Sequence, residues 1–356
     1  MAIQKVNYNM VTLARESRGL TQSELAVELG VTQGKVSKIE QGLLSISDQM
    51  LIDLSSCLKY PQNFFFLTDA VCAHGINLHR KRAALTKKTL CKIDAHLNIR
   101  RIHLHKLLEE LEITGEGIPE FPVNRTQTPE AIARKLRKEW DVPAGPIVNM
   151  TSLIEKAGGI VINCDFESHL IDGVSSRSND LPPMIFVNKD ISGDRFRFTL
   201  AHELGHLVMH SSPTPDMEDE ADLFASEFLM PKKEIELSLR FVNLSKLAEL
   251  KRYWKVSMAA LLVRAGKVGA ITSRQSQYLW MQLSKAGYRT KEPAQLDVAR
   301  ETPRLLSNII DYHLSENHLS AEEVSELVGI HHQEFRRMYL EEQPSVRKVR
   351  RAIGVS

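Results

Sequence analysis

The sequence predicts a multi-domain, mainly α-helical protein with one small β-sheet. Three observations carry that expectation. At 356 residues the chain can hold two or three separate cores. Its apolar residues mostly recur at helical spacing, with capping residues ahead of the runs and glycines or prolines behind them. Only Ile160-Val161-Ile162, Gly173-Val174-Ser175 and Met184-Ile185-Phe186-Val187 are short and β-rich.

Composition narrows the class. A hydrophobic content of 43% and a charged content of 25% are ordinary for a globular protein, so neither a disordered nor a fibrous chain is expected. The four cysteines are widely spaced and form no C-x-x-C pair, which fits free thiols in a reducing compartment. The start, Met1-Ala2-Ile3-Gln4-Lys5, lacks an apolar signal core, and no run approaches the ~18 apolar residues of a membrane span. A cytoplasmic location without membrane contact is the expectation. The formal net charge of +2 excludes little; its distribution says more.

From the amino end, the first helix covers about Met10 to Arg18 and closes at Gly19. Thr21 with Glu24 forms a capping box, and Leu25, Ala26 and Leu29 supply the buried face of the next helix. Gly30 makes a tight turn, Thr32 opens a third helix at Gln33, and Gly42 ends it. Two short helices joined by a glycine-containing turn describe a helix-turn-helix. The run Gln22-x-x-Leu25-Ala26, Gly30-Val31, Val36-Ser37-Lys38-Ile39-Glu40-x-Gly42 resembles the repressor-type domain of the λ repressor and Cro class, the XRE family. That resemblance implies double-stranded operator DNA as partner, with Gln33 to Lys38 in the recognition helix. By donor and acceptor pattern Gln33 suits adenine and Lys35 suits guanine. Gln22, Thr32 and Lys38 are read as phosphate contacts, which position without specifying. A compact helical protein-interaction module is the alternative. The apolar Phe64-Phe65-Phe66-Leu67 patch reads as a closing helix or a packing or dimer surface.

Residues 1–70 are therefore read as the reader, and 71–121 as a basic helical connector. Between Arg80 and Lys106 the basic residues face Asp94 alone, with leucines and isoleucines interleaved. Either a solvated helix face or a further phosphate-contacting surface fits this pattern. Gly115, Gly117, Pro119 and Pro122 mark a linker. Thr128-Pro129-Glu130 opens a helix with Ile132, Leu136 and Trp140 on one face, and a second helix runs from Val148 to Ala157 before Gly158-Gly159. The three β-rich runs follow.

His202-Glu203-Leu204-Gly205-His206 then lies in a predicted helix from Asp194 to His210. At i and i+4 the two imidazoles leave one helix face and can reach one ion, while Glu203 can hydrogen-bond a water on it. Zn2+ is the expected cofactor, and such a site needs a third protein ligand and an open position. A second helix, about Glu218 to Leu229 and ended by Pro231, supplies candidates. Glu218 is preferred, because Asp222 one turn on can accept a hydrogen bond from a liganding histidine. Glu220 is the rival, with Phe224 four positions later. His210 extends the histidine row and reads as a surface or bracing residue. An amphipathic helix with His and Glu on its polar face is the plain alternative. The predicted chemistry is peptide-bond hydrolysis with Glu203 as base.

The Glu-x-x-x-Asp after H-E-x-x-H looks like the gluzincin pattern. With Arg197 to Glu203, the Phe224 to Pro231 stretch and the order helix, helix, small sheet, metal helix, second metal helix, it resembles the ImmA/IrrE family of metallopeptidases over about 125–270. The resemblance matches His202 and His206 to histidine ligands, Glu203 to the catalytic base and Glu218 to the acidic ligand. It implies zinc dependence and a repressor protein as substrate. A domain at 122–270 is expected.

Past the site, helices are expected at Leu244 to Trp254 and from Met258, with Ser257 as N-cap. Tyr278, Trp280 and Tyr288 could wall a groove or fill a core. In the last segment, 271–356, Ser320-x-x-Glu323-Val324 through Gly329-Ile330 echoes Thr21 through Val31, which places His331, His332 and Glu334 where a recognition helix would begin. A degenerate helix-turn-helix used for packing or partner binding is expected, with a second DNA contact as an alternative. Three functions follow: a DNA-binding regulator with a zinc endopeptidase that cleaves a repressor or antitoxin-like partner, a regulator whose peptidase fold only senses or binds, and a toxin-antitoxin or phage-defence component. A homodimer would suit a palindromic operator.

Overall fold

The computed structural model describes residues 5–68, 85–109, 111, 113, 115, 117–178 and 180–341. Cys72 and the basic Arg80 to Arg82 lie outside them. Packing groups the chain into two compact units. Described residues of the first come from Met1–Ala73, Thr86–Glu112 and Ser307–Ser356, those of the second from His74–Leu85 and Ile113–Leu306. The chain is mainly helical, with one three-stranded sheet among the described residues.

The first unit opens with α1 (Tyr8–Ser17), α2 (Gln22–Glu28), α3 (Gln33–Glu40) and α4 (Asp48–Leu58). The Thr21/Glu24 capping box is complete, and Thr32 Oγ1 accepts from the Lys35 N–H to start α3. Between them Gly30 takes φ +64°, a left-handed value that favours glycine. Arg15 and Glu40 tie α1 to α3, with Nη2 to Oε2 at 3.1 Å. The Gln62–Phe66 3-10 turn buries Phe64 and Phe65 completely, and Tyr60 stacks on Phe64 at 4.2 Å between centroids. Each such aromatic contributes about 1.5–3 kcal/mol by burial, so this patch is a core element. Next comes α5 (Lys87–Leu108), whose basic sequence hides an unusual interior: Asn98, Arg101 and His103 are all buried on it.

The second unit holds α6 (Pro129–Glu139), α7 (Met150–Lys156), β1 (Ile160–Cys164), β2 (Gly173–Ser176) and β3 (Met184–Asn188). Strand order is β1-β3-β2, with β1 parallel and β2 antiparallel to β3, so the central strand is entirely buried. Against the sheet lies α8 (Gly193–Met209), followed by α9 (Met217–Leu229). The apolar faces of both helices join one core with Val161, Ile185 and Val187.

Gly205 is what lets α8 and α9 approach. A Cβ there would stand 3.0 Å from Phe224 Cδ1. The α8 ends are fixed by specific partners. Asp194 in its first turn pairs with the buried Lys251, while Phe121 N–H and Arg177 bind the Val208 and Leu207 carbonyls at its close. Behind these sit α10 (Lys232–Leu239), α11 (Leu244–Trp254), α12 (Met258–Lys267) and α13 (Ser273–Lys285). Ser257 Oγ caps α12. Trp280 and Tyr288 pack against the core, whereas Tyr278 on the far side of α13 is exposed, so the three aromatics do not act as one wall.

The chain returns to the first unit through α14 (Leu305–Ser315), α15 (Ala321–Val328) and the single-turn α16 (His332–Phe335). Ser320 and Glu323 repeat the capping box of α2, and Gly329 repeats its left-handed turn at φ +76°. The echo is used for packing. Glu334 binds the Arg18 guanidinium at 2.9 Å, Asn63 donates to the Glu326 carbonyl, and Gly329 lies against Phe64 and Leu67.

Candidate metal centre and nucleic-acid interface

Within the second unit, α8 presents His202 and His206 from one face, as their i, i+4 spacing requires. Their Nε2 atoms stand 3.1 Å apart. From α9, Glu218 brings one oxygen to 3.7 Å from His202 Nε2 and the other to 3.6 Å from His206 Nε2. Among the described residues these three form the one group able to hold a metal ion. Four tetrahedral donors at 2.0–2.2 Å from zinc lie roughly 3.3–3.6 Å from one another, so the spacing suits that ion.

Proton bookkeeping strengthens the fit. Asp222 Oδ1 lies 2.9 Å from His202 Nδ1, so that nitrogen carries the proton and Nε2 presents a lone pair. Glu220 does the same for His210, at 2.9 Å from Nε2. His210 Nδ1 is then an acceptor, and His206 Nδ1, 3.0 Å away, must donate to it. With both rings neutral, two imidazole lone pairs and a carboxylate converge with no donor between them. A cation resolves that convergence. The acidic surroundings favour a positive charge at His202, a bound cation or, without one, a proton. Burial alone would lower its pKa, but the hydrogen bond to Asp222 and the charges of Glu203, Asp222 and Glu218 outweigh it and raise the value.

Glu203 is 2% exposed, and its Oε2 accepts from Ser175 Oγ on β2 at 2.8 Å. Gly173 makes this approach feasible: a Cβ there would lie 2.6 Å from Thr199 Cγ2 and 3.2 Å from Glu203 Cγ. A cavity of about 740 Å³ meets the cluster at Asp222 and continues past Thr199, Ser226, Phe198, Lys267 and Tyr288.

The structure thus brings His202, Glu203, His206, Glu218 and Asp222 into one cluster and directs Glu220 to His210. One participant escaped the sequence reading. Ser175 lies in a strand whose partner across space is invisible before the sheet is built. His210, read from the continued i, i+4 row as a surface or bracing residue, takes the bracing place, with its side chain 3% exposed.

In the first unit, Thr32, Gln33, Lys35 and Lys38 are exposed along α3 and its cap. Gln22 is half-buried, and its side-chain oxygen accepts from Gln33 Nε2 at 2.8 Å while its own amide donates to Glu40. Gln33 is therefore pre-oriented by Gln22, and Glu40 links that pair to Arg15. Gly34 has open space around it. These residues leave a polar, protruding helix face, the shape that enters a major groove.

The two sites define a class: a DNA-binding regulator carrying a peptidase-like domain. Family comparison specifies both parts. Residues 12–61 match the helix-turn-helix family, and residues 154–265 match the IrrE N-terminal-like domain of the M78 peptidases. The chain is a fusion of an XRE-type reader with an ImmA/IrrE-like domain. No curated protein matches the chain significantly. Among the described residues, no helix is long and apolar enough to cross a membrane.

Proposed function

We propose that this regulator is a cytoplasmic zinc-dependent endopeptidase that hydrolyses a peptide bond in a partner protein, a repressor or antitoxin, while its reader holds operator DNA. The single observation that carries the catalytic reading is the convergence of His202 Nε2, His206 Nε2 and Glu218 beside the buried Glu203. His202, His206 and Glu218 would hold the zinc. When bound, zinc supplies a more acidic water and polarises the scissile carbonyl. Glu203 receives the proton of the attacking water and delivers it to the leaving amine. Ser175 holds Oε2 so that the carboxylate keeps one orientation through both transfers. Asp222 and the His210–Glu220 pair fix the tautomers of the two rings. Gln33 and Lys35 read bases, and Gln22, Thr32 and Lys38 position the helix on phosphates. The domain division 1–70, 71–121, 122–270 and 271–356 and a homodimer on a palindromic operator belong to the same proposal.

The test compares the full chain with Glu203→Gln, each loaded with zinc and incubated with lysate of its own cells. A product present only with the unaltered protein supports the reading. Identical lanes with every metal and inducer favour the second reading, a regulator whose peptidase-like domain senses or binds; the shared-fold match to M78 peptidases fits both.

A further inference from the structure

A second cavity of the same unit, about 670 Å³, lies away from the metal cluster. It falls within the 300–1,000 Å³ range of small-molecule sites. Its wall combines the start of α7, α8, the end of α11 and the strap 295–304. The charge on that wall is strongly one-sided: Arg197, Arg252, Lys255, Arg300 and Arg304 line it, against Asp297 and Glu301.

What matters is which of these charges have an acid beside them and which do not. Glu301 takes up Arg197, together with the Met150 and Thr151 N–H groups, and Arg304 lies beside Glu155. Arg300, in contrast, donates to uncharged acceptors: the Lys189, Ile191 and Asn188 carbonyls and Asn163 Oδ1. Phe196 covers its face at 4.3 Å, and Asp190, whose charge acts on it, is not part of the wall. Lys255 donates to the Val148 carbonyl at 3.0 Å. Arg252 makes no hydrogen bond or ion pair among the described residues. Deeper in, Arg197 is 1% exposed, yet its Nε has no hydrogen-bond partner. A buried N–H donor without an acceptor is costly, and rigid arginine forks favour phosphate oxygens.

We infer that this cavity is an anion site for a phosphate-bearing small molecule, with Arg252 and Lys255 at its mouth and Arg300 and Arg197 behind them. Carbonyl-bound arginines keep their positive charge while losing their freedom, so they are pre-organised to receive an anion. The size of the cavity leaves room for an organic group beyond the phosphate. The site does not depend on peptidase activity.

The experiment is calorimetric titration of the zinc-loaded full chain at constant ionic strength with inorganic phosphate, AMP and ribose 5-phosphate. Saturable binding is expected, and Arg252→Glu and Lys255→Glu each weaken it about tenfold or more, with an unchanged thermal midpoint in the absence of ligand. Arg252→Gln, a milder change, gives an intermediate loss. Because these residues lie in the second unit, phosphate binding at the DNA reader would persist in the variants and is separable. Equal affinity for inorganic phosphate and both esters assigns the site to the phosphate group alone; tighter binding of one ester identifies the attached group. No saturable binding of any probe, or equal binding by all variants, overturns the inference.

Discussion

Glu220 Oε2 stands 2.9 Å from His210 Nε2, so an acid that the sequence offered as a metal ligand instead anchors a histidine behind the proposed metal ligands. His210 Nδ1 in turn stands 3.0 Å from His206 Nδ1. The two ligand histidines are therefore braced by different means, one by a carboxylate directly and one through an imidazole.

This predicts a graded metal affinity. Glu218→Ala removes a ligand and should lower zinc occupancy most. Glu220→Gln and His210→Ala should weaken binding by roughly 10–100-fold, the range for partners that orient a ligand. Competition with a chromogenic chelator measures all three. A larger loss for Glu220→Gln than for Glu218→Ala would reassign the ligand.

Ser175→Ala should leave substrate binding intact and lower kcat. The lost bond is to a charged acceptor, worth about 1.5–3 kcal/mol, so a drop of about 10–100-fold is expected. Steady-state kinetics on the cleaved partner separates the two constants. A rise in KM with constant kcat would place Ser175 in substrate binding.

At the reader, Gln33→Ala and Lys35→Ala should relax base preference by about 1–3 kcal/mol per lost contact. Gln22→Ala should partly reproduce the Gln33 effect, because it frees the amide that Gln22 holds. Lys38→Ala should weaken all sequences alike and reduce the salt dependence. Binding to an operator and its point variants at two salt concentrations distinguishes these outcomes.

His103 sets an acid limit on the first unit. Complete burial, aided by the Arg100 charge, pushes its pKa down to about 3. Unfolded, it titrates near 6.5. Between these values the unfolded chain binds a proton that the folded one refuses, so stability rises with pH. This contribution is present above pH 6.5 and is lost progressively as pH falls toward 3, at a slope of up to about 1.4 kcal/mol per pH unit. Tyr339, whose hydroxyl lies 2.7 Å from Nδ1, stays with the neutral ring. Denaturant titration from pH 7 to 4 should show the slope, and His103→Gln should flatten it.

Local chemistry explains what was legible beforehand. Capping boxes at Thr21 and Ser320, the Gly30 turn and the His202/His206 spacing are properties of a few consecutive residues, and they stand in the structure where the pattern put them. The strands were legible from β-branched runs, but not their order, and Ser175 reaches Glu203 only because β2 lies at the edge beside α8. The fate of Glu220 depended on the chain path from His210 to Asp216, which no periodicity encodes. The basic look of α5 concealed buried Arg101 and His103, because burial there depends on helices far away in sequence.

The pairing of Arg18 with Glu334 means that the DNA-reading unit is closed by a segment made after the peptidase-like portion. A ribosome that has released only the opening helices has not yet released the residues that cover Phe64 and Leu67. A chain broken off before Glu334 would carry a reader lacking this clasp.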